Sequence, residues 1–504
     1  MDKKKLYITS VLVIAIIILA NLISDELFFR WDFTDNKQYT LSDATKNLLK
    51  NLDKTITIKA YFSKDLPPKV GGVRRDFKDL LVEYANYSHG KIKYEFIDPN
   101  KNEKLENEAI QEGIKPVLVN VREKDQMKQQ KAYLGAVIMY EEKKEVIPFV
   151  QPGAPLEYLL SSSIKKLTIK KKPIIGLVQG QGEATLNEMS QVINELKILY
   201  EVRYVNFNDT TTSVSLSNYK ALLLVDPVDS FSDKELQLLT NYWNNGGRLL
   251  IAYNRLNSNL QQMYVQPINT GLETWLKDRG VDMPAKSVVD ASCGMVTVQQ
   301  ERGMFRFMSN VAFPYFPIVK KFSDHPVVAG LEQVIFPFVS PVSYVGDTAS
   351  VKATPLLYSS EKSNTVAAPF FINIQKQWTE VDFPEKNIVL AMALKNKKNG
   401  AKMVVFGDAD FAINGKGQDK VQLGEDNINL FVNAVDWLAD DTGLIGLRTK
   451  AVTSRPIKDL EDSTKTLLKY LNFLLPILLL ILYGIIRYQR NKIIRIKRMG
   501  EYYK

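Results

Sequence analysis

Cysteine and histidine are almost absent from this chain of 504 residues, which has only one cysteine, Cys293, and two histidines, His89 and His325. A single cysteine excludes intramolecular disulfides and multi-cysteine metal sites. His89 lies in the first part of the body, away from the α/β region, and His325 lies in a probable turn, Ser-Asp-His-Pro, which argues against a Ser-His-Asp catalytic set. The composition therefore predicts no metal, no cofactor and no enzyme that depends on thiol or imidazole chemistry.

A folded basic surface is also missing, although the net charge is +10. Residues 1–5 contain three Lys and one Asp, and residues 487–504 contain seven Lys or Arg and one Glu. These tails carry +2 and +6, which leaves only +2 for the long region between them. Nucleic-acid-binding proteins concentrate positive charge on a folded face. The charge distribution therefore predicts no nucleic-acid partner.

Two long apolar runs adjoin these basic tails. Residues 6–23 carry no charge and would span roughly 27 Å as a helix, close to the ~30 Å of a bilayer core. Residues 467–488 form the second run, which contains Pro476. Two transmembrane helices are the favoured interpretation. A cleaved signal peptide is the alternative for the first run, and a buried helix is the alternative for the second.

The flanking charges predict the orientation of the two spans. Basic residues precede the first run and lie at the end of the second run and beyond it. They are Lys3, Lys4, Lys5, Arg487, Arg490, Lys492, Arg495, Lys497 and Arg498, of which the last five lie in the tail at residues 489–504. The positive-inside rule then predicts that both termini are cytoplasmic. Residues 24–466 would lie on the opposite side of an inner membrane, in the periplasm.

The first part of the body begins with a membrane-proximal segment, residues 28–53, in which Ser42 is a suitable N-cap for an amphipathic helix. Residues 54–150 follow the order β-α-β-α-β-β and resemble a thioredoxin-like domain, with Pro116 before the third strand. The C-x-x-C motif is replaced by Asp-Leu-Pro-Pro at residues 65–68. We therefore expect a thioredoxin-like domain without redox chemistry.

The second part alternates apolar strands with amphipathic helices. A linker helix at residues 151–172 leads to an α/β domain at residues 173–442, and a polar linker at residues 443–466 leads to the second span. Continuous apolar strands between such helices predict a parallel sheet covered on both faces.

Three acidic or glycine-rich motifs lie at predicted strand ends, where open α/β sheets bind ligands. The first is GQGE, which comprises Gly180, Gln181, Gly182 and Glu183. It matches neither nucleotide-binding glycine motif, so a simple turn is favoured over an anion site. The second, Asp226, is equally compatible with a helix-entry turn.

The third motif contains Asp408 and Asp410, one residue apart. On an extended strand their side chains would point to opposite faces, so both could bind one ion only if the chain turns there. We predict structural turn chemistry for this pair. Ligand or partner contact is the second choice, and catalysis the least favoured.

Aromatic residues are concentrated at residues 304–319 and 335–344. A core hairpin covering the sheet is somewhat favoured over a docking surface, although aromatic residues and Met are also enriched in interface cores.

The segment RWDFTDNKQYTLSDATKNLLKNL resembles the start of gliding-motility ABC-transporter auxiliary proteins of the GldG type, which read R-x-D-L-T-x-x-K-x-Y-T-L-S-x-x-T after a membrane span. The matching residues are Arg30, Asp32, Thr34, Lys37, Tyr39, Thr40, Leu41, Ser42 and Thr45. A D-H-P motif and the G-D-[SA]-D-F strand end agree as well. Gln181 stands where that family usually has His. The second domain is similar to class I glutamine-amidotransferase-like (flavodoxin-like) domains that lack the catalytic cysteine.

The resemblance implies a non-catalytic auxiliary subunit of an ABC transporter associated with gliding motility or surface-protein export. Its expected partners are a permease subunit and, through it, a cytoplasmic ABC ATPase, with two copies per complex. The subunit would scaffold or bind the transported species. Two alternatives stay open: a periplasmic amidotransferase-like or hydrolase-like enzyme, and a receptor for a solute or glycan.

Overall fold

The computed structural model describes residues 12–13, 40–64, 66, 68–123, 126–207, 216–302, 305–417, 420–449 and 462–502. The chain divides into two compact units, residues 1–452 and 453–504. The predicted first span, residues 6–23, lies outside the described residues except for Leu12 and Val13.

The helices of the described residues follow the predicted amphipathic segments. They are α1 (Asp43–Lys50), α2 (Pro68–Tyr87), α3 (Glu103–Gln111), α4 (Leu156–Thr168), α5 (Ser190–Leu199), α6 (Asp233–Asn244), α7 (Leu272–Lys277), α8 (Glu425–Ala439) and α9 (Asp462–Tyr502). Helix α2 begins at Pro68, five residues before Val73, where the apolar periodicity of residues 73–88 would start a helix. Pro68 suits this first turn because the N–H it lacks would have no intrahelical partner there.

The strands up to the second sheet are β1 (Ile56–Phe62), β2 (Ile92–Ile97), β3 (Val117–Glu123), β4 (Gln126–Ala132), β5 (Leu134–Tyr140), β6 (Lys143–Ile147), β7 (Ile174–Gln179), β8 (Glu201–Asn206), β9 (Ala221–Val225) and β10 (Arg248–Ala252). Those that follow are β11 (Leu256–Asn259), β12 (Tyr264–Pro267), β13 (Val281–Asp282), β14 (Lys286–Asp290), β15 (Cys293–Arg302), β16 (Phe305–Val319), β17 (Lys321–Phe322), β18 (Val334–Ile335), β19 (Ser343–Tyr344), β20 (Val351–Tyr358), β21 (Ser363–Ala367), β22 (Phe370–Phe371), β23 (Val389–Asn396) and β24 (Lys402–Phe406).

The first sheet has four strands in the order β2-β1-β5-β6. Strands β1 and β2 are parallel, whereas β5 is antiparallel to both β1 and β6. The segment after Pro116, expected as the third strand of this sheet, instead forms β3 and pairs with β4 in a separate two-stranded hairpin. Its partner β4 is too polar to be recognised from apolar alternation. The thioredoxin-like assignment of residues 54–150 stays a prediction.

Helix α4 covers the first sheet and is more than the linker that the sequence suggested. Leu160, Ile164 and Leu167 are buried in the same core as residues of β1 and β5. The helix ends at Thr168, before the Lys-rich stretch at residues 170–172.

The second sheet has eight strands in the order β17-β20-β23-β24-β10-β9-β7-β8. Strands β8, β7, β9, β10 and β24 are mutually parallel, and in chain order they read 2-1-3-4-5, the order of flavodoxin-like sheets. The wholly parallel sheet expected from the sequence is wrong at one edge. There β23, β20 and β17 extend the sheet in antiparallel fashion.

Apolar residues cover both faces of the eight-stranded sheet. All five residues of β9 are buried, and they contribute alternately to two core clusters. Helices α5 and α8 pack into one cluster through residues such as Ile193 and Leu430. Helices α6 and α7 pack into the other through Leu239 and Leu276. This double cover explains why the central strands read as continuous apolar runs.

The first aromatic-rich segment supplies strand β16 of the long antiparallel hairpin β15–β16. Phe313, Tyr315 and Phe338 are buried together in a satellite core, where the Tyr315 and Phe338 rings stack 5.6 Å apart. The β16 part of this hairpin therefore agrees with the core interpretation. Met295 and Met308 on its other face are exposed.

Helix α9 forms the described part of the second unit. Its segment Lys469–Ile494 has a mean hydropathy of 2.0 and, among the described residues, is the one helix long and apolar enough to cross a membrane. Pro476 lies within it.

Candidate functional site

The carboxyl ends of four parallel neighbours, β7, β9, β10 and β24, carry the polar residues of the candidate site. Gly180–Glu183 follows β7, Asp226 follows β9 and Gly407–Asp410 follows β24. These motifs are distant in sequence, but the strand order brings the ends of their strands to one edge of the sheet. Strands β7 and β9 flank the point at which the strand order reverses, where open α/β sheets bind ligands.

The GQGE turn is held by hydrogen bonds to the loop after β9. The carbonyl oxygen of Gln181 accepts the N–H groups of Val228 and Asp229, each at 2.9 Å. Gly182 has φ +77°, and a Cβ there would collide with the Val228 side chain. The glycine is therefore required both for the left-handed backbone and for the close approach.

Two acidic side chains, those of Glu183 and Glu235, hold this turn by accepting hydrogen bonds from Gln181. Glu183 Oε2 accepts the Gln181 N–H at 2.7 Å, and the Gln181 side-chain amide donates to Glu235 Oε1 at 2.7 Å. Gln181, Glu183 and Glu235 are all at most 5 % exposed. Burial raises the pKa of Glu183, and the charge of Glu235 adds to this effect.

Asp226 is held in a left-handed conformation, with φ +58°. Its N–H donates to the Ala252 carbonyl at 2.9 Å, and its Oδ1 accepts the Asn254 amide at 2.9 Å. Burial, the Asp410 carboxylate and Glu183 together raise the pKa of Asp226 to about 7. A non-glycine residue at positive φ stores strain, which recurs at functional sites.

Asp408 and Asp410 lie where the chain turns after β24, so the extended geometry considered from the sequence does not hold. Asp408 is 1 % exposed and accepts the N–H groups of Asp410 at 3.2 Å and Phe411 at 3.0 Å. Its side chain thereby caps the short helical turn Asp410–Ala412. Burial raises the pKa of both carboxyl groups, and the Asp410 charge raises that of Asp408 further.

Asn254 links two of the motifs, although the sequence gave no reason to select it. Its Nδ2 donates to Oδ1 of Asp226 at 2.9 Å and to Oδ1 of Asp410 at 3.1 Å. Its own Oδ1 accepts the Ala409 N–H at 2.7 Å, which fixes the orientation of the amide. The only signal in the sequence was its position two residues after β10, at a strand end like the others. Glu235 was also missed, because it appears in the sequence only as a helix-capping residue.

Two buried oxygen atoms at this edge have no hydrogen-bond donor in the described part of the chain. They are Oε1 of Gln181 and Oε1 of Glu183. Buried acceptors are nearly always satisfied by protein groups, water or a ligand. Among the described residues, no group of three or more His, Cys, Asp or Glu is arranged to hold a metal ion.

The chemically reactive residues considered from the sequence lie elsewhere. Cys293 begins β15, and burial raises the pKa of its thiol. His325 packs edge-on against Trp437, and its Nδ1 accepts the Val327 N–H at 3.3 Å. Burial lowers the pKa of His325 to about 4. In the structure, neither residue contacts the four strand ends described above.

The part of the membrane-proximal motif that the structure describes packs against α4. Ser42 caps α1 by accepting the Thr45 N–H at 3.1 Å, and its own N–H donates to the Glu157 carboxylate at 2.7 Å. Thr45 and Tyr84 both contact the buried Ser161 hydroxyl, at 3.0 and 2.6 Å. Leu41 is buried in the same core, and Thr40 precedes it. Arg30, Asp32, Thr34 and Tyr39 lie outside the described residues.

Two family profiles match the sequence. The profile described as "ABC-type uncharacterized transport system" matches residues 172–440, more than half of the chain. A domain of unknown function, DUF7088, matches residues 35–139.

Individual proteins add little detail. An uncharacterized protein of Borreliella burgdorferi (strain B31) is 24% identical over 499 residues, covering 92% of this chain and 94% of that protein. The alignment with the solved mmIFT52 N-terminal domain covers 53% of this chain and 97% of that domain, at 16% identity and a TM-score of 0.37. The alignment with a ThuA-like protein of Parabacteroides merdae covers 57% of this chain and 95% of that protein, at 13% identity and a TM-score of 0.29. Both scores are too low to indicate this chain's fold or function.

Proposed function

Because the chain belongs to the family described as an ABC-type uncharacterized transport system, and its role is thus accessory to transport, we propose that it is a non-catalytic auxiliary subunit of an ABC transporter. In this proposal it docks on a permease and scaffolds or binds the transported species. The associated process would be gliding motility or surface-protein export, as the sequence resemblance implies.

The non-catalytic assignment rests on the hydrogen bonds that the Asp408 and Asp410 carboxylates accept. Asp408 caps a turn with both carboxylate oxygens, and Asp410 accepts a hydrogen bond from Asn254. A hydrolytic site needs a nucleophile or base within reach of the reacting atoms. The sulfur of Cys293 and the imidazole of His325 belong to other parts of the fold.

The membrane arrangement follows from the apolar runs and their flanking charges. The C-terminal helix has the length and hydropathy of a span. We propose a second span at residues 6–23, cytoplasmic termini and a periplasmic body between them. A body anchored in this way is suited to contact the periplasmic face of a permease, and two copies would match the two-fold symmetry of such exporters.

The test is purification of the tagged full-length chain from native membranes, followed by identification of the proteins that co-purify. An ABC permease and an ABC ATPase are expected in the same complex. A purified chain that brings down neither protein would exclude the proposal.

A second candidate, a hydrolase-like or amidotransferase-like enzyme, is favoured by one observation, the strained Asp226 whose pKa is raised to about 7. The two functions are separated by changing Asp408 and Asp410 to Ala in the same purification. Loss of transport with an intact complex would support the enzyme only if the unchanged complex also releases a hydrolysis product of the transported species, because loss of a binding residue would impair transport as well. Retained transport would support the non-catalytic subunit.

A further inference from the structure

The edge of the sheet formed by β7, β9, β10 and β24 combines several acidic groups without a cation. Asp226, Asp408, Asp410 and Glu183 form no ion pair with a Lys or Arg of the described residues. Burial raises the pKa of each of these carboxyl groups, and the charge of a neighbouring carboxylate raises the pKa of Glu183, Asp226 and Asp408 further. Such an arrangement costs stability unless a positive group is brought to it.

We propose that Asp226 and Asp410, bridged by Asn254, form a binding site for a primary ammonium group. The inference rests on the proposed non-catalytic function and deepens it by naming the class of ligand that this edge of the sheet accepts. The ammonium group could belong to a free amine or to a lysine side chain, because the chemistry of recognition is the same.

The first argument is geometric. A single amide nitrogen of Asn254 reaches both carboxylates, at 2.9 and 3.1 Å, so the two groups are held close together. Only Oδ1 of each accepts from Asn254, so among the described residues Oδ2 of each is left for a ligand. Asp226, Asn254 and Asp410 are partly exposed, so a ligand can approach from solvent.

The second argument is the presence of unpaired acceptors. Oε1 of Gln181 and Oε1 of Glu183 are buried without a donor, and both side chains are at least 95 % buried. Glu183 faces Asp226 closely enough that its charge contributes to the raised pKa of Asp226. Gln181 Oε1 is an acceptor, and so is Glu183 Oε1 when that carboxyl group is ionised, so the group that would satisfy both atoms is a hydrogen-bond donor.

The third argument selects the kind of cation. Calcium and magnesium need several oxygen ligands at short, regular distances, and the described residues contain no acidic cluster with that arrangement. An ammonium group offers three donors on a compact charge and tolerates wider spacing between acceptors. It therefore fits two carboxylates that share one amide donor.

The binding should depend on pH. Asp226, whose pKa is about 7, must be ionised to attract the cation. The groups that face it are the acidic Asp410 and Glu183 and the neutral Asn254. Binding should therefore weaken as the pH falls from 8 to 6, while the ammonium group itself stays charged.

The test is calorimetric titration of the full-length chain in detergent with butylammonium chloride at pH 8. Tetramethylammonium chloride is the control cation, because it has the same charge and no N–H donors. We expect butylammonium to bind and tetramethylammonium not to bind. A peptide containing one lysine is titrated in parallel. Tighter binding of this peptide than of butylammonium would indicate that the ammonium group comes from a protein.

Two variants locate the site. Asp226→Asn and Asp410→Asn should each weaken butylammonium binding by about tenfold or more, as loss of a charge-assisted hydrogen bond predicts. Asn tolerates the positive φ of residue 226 nearly as well as Asp, so that variant should fold. Asp229→Asn is the matched control, because it removes the same charge from an exposed side chain three residues away. Its binding should change by less than about twofold.

Three outcomes would overturn the inference: no binding of butylammonium, equal binding of tetramethylammonium, or equal loss in the Asp229→Asn chain. Binding of calcium in place of the amine would also overturn it and would indicate a metal site. Co-purification of permease and ATPase with the Asp226→Asn chain tests the proposed transporter subunit independently of the proposed ammonium site. The ammonium site can fail while the complex forms, and the complex can be absent while the amine binds.

Discussion

At the scale of single residues, the candidate site is dominated by carboxyl groups in environments that disfavour charge. Asp226 combines a left-handed backbone with a pKa of about 7 and contact with an amide that it shares with Asp410. His325, which packs against Trp437, is a half-buried imidazole with a pKa of about 4. These two residues act oppositely on stability as the pH changes.

Replacing Asp226 by Asn should raise the free energy of unfolding above that of the unchanged chain, and this increase should be larger at pH 8 than at pH 4. The pKa of Asp226 is raised in the folded state from 3.8 to about 7, so its favourable contribution is complete below pH 3.8 and is lost as the pH rises through 7. The relative gain at pH 8 should be about 2–4 kcal/mol. Chemical denaturation at both pH values measures it.

The comparison with the unchanged chain removes the contribution of His325, which destabilises both proteins equally in acid. Asp229→Asn serves as the control for removing a carboxylate from an exposed position. A relative stability of the Asp226→Asn chain that stays constant with pH would show that Asp226 ionises normally in the fold.

At the scale of elements, the end of β24 is fixed by a close backbone contact. The Gly407 carbonyl accepts the Ser340 N–H at 2.8 Å, and the Gly407 N–H donates to the Leu390 carbonyl at 3.0 Å. A Cβ on Gly407 would overlap the Ser340 carbonyl oxygen, which is backbone and cannot rotate away. The glycine before Asp408 therefore sets where β24 ends and where the acidic turn begins.

Changing Gly407 to Ala should destabilise the protein by about 2–3 kcal/mol or more, because the backbone must shift to relieve the overlap. The free energy of unfolding from denaturant titration tests this expectation. Gly72→Ala is the control, since it lies in α2 with nothing near its Cβ position, and it should be neutral or stabilising by less than about 1 kcal/mol. Equal stability of the Gly407→Ala chain would contradict the contact.

At the scale of the whole molecule, the membrane topology depends on the two ends of the chain. The C-terminal segment Lys469–Ile494 has the length and hydropathy of a membrane span. The first apolar run, residues 6–23, is predicted from its sequence to be a second span, with a cleaved signal peptide as its alternative. The two interpretations differ in what holds the body to the membrane when α9 is removed.

Truncation after Val452 should leave the protein in the membrane fraction at its full expected mass, because the first run alone is long enough to anchor it. Fractionation followed by mass spectrometry of the intact chain provides the measurement. The control is a chain that lacks both runs, which should leave the membrane. Release of the truncated chain with its first residues removed would favour the signal peptide.

Much of the element order could be predicted because it depends on local chemistry. Ser42 and Ser232 cap helices as their residue types suggest, and α6 has the bounds expected from its periodicity. The apolar strands of the eight-stranded sheet were equally clear. Strand β4 was missed because its residues are polar, and the antiparallel edge was missed because apolar composition does not encode strand direction.

The sequence by itself determined the α/β class, the apolar run that becomes α9 and the scarcity of thiol and imidazole groups, because these follow from composition and periodicity. Only the tertiary structure decided that Asp226 and Asp410, 184 positions apart, share one amide of Asn254. Such contacts depend on strand order, which is set by the packing of helices on both faces of the sheet. The same packing removes water from these carboxyl groups and thereby raises their pKa values.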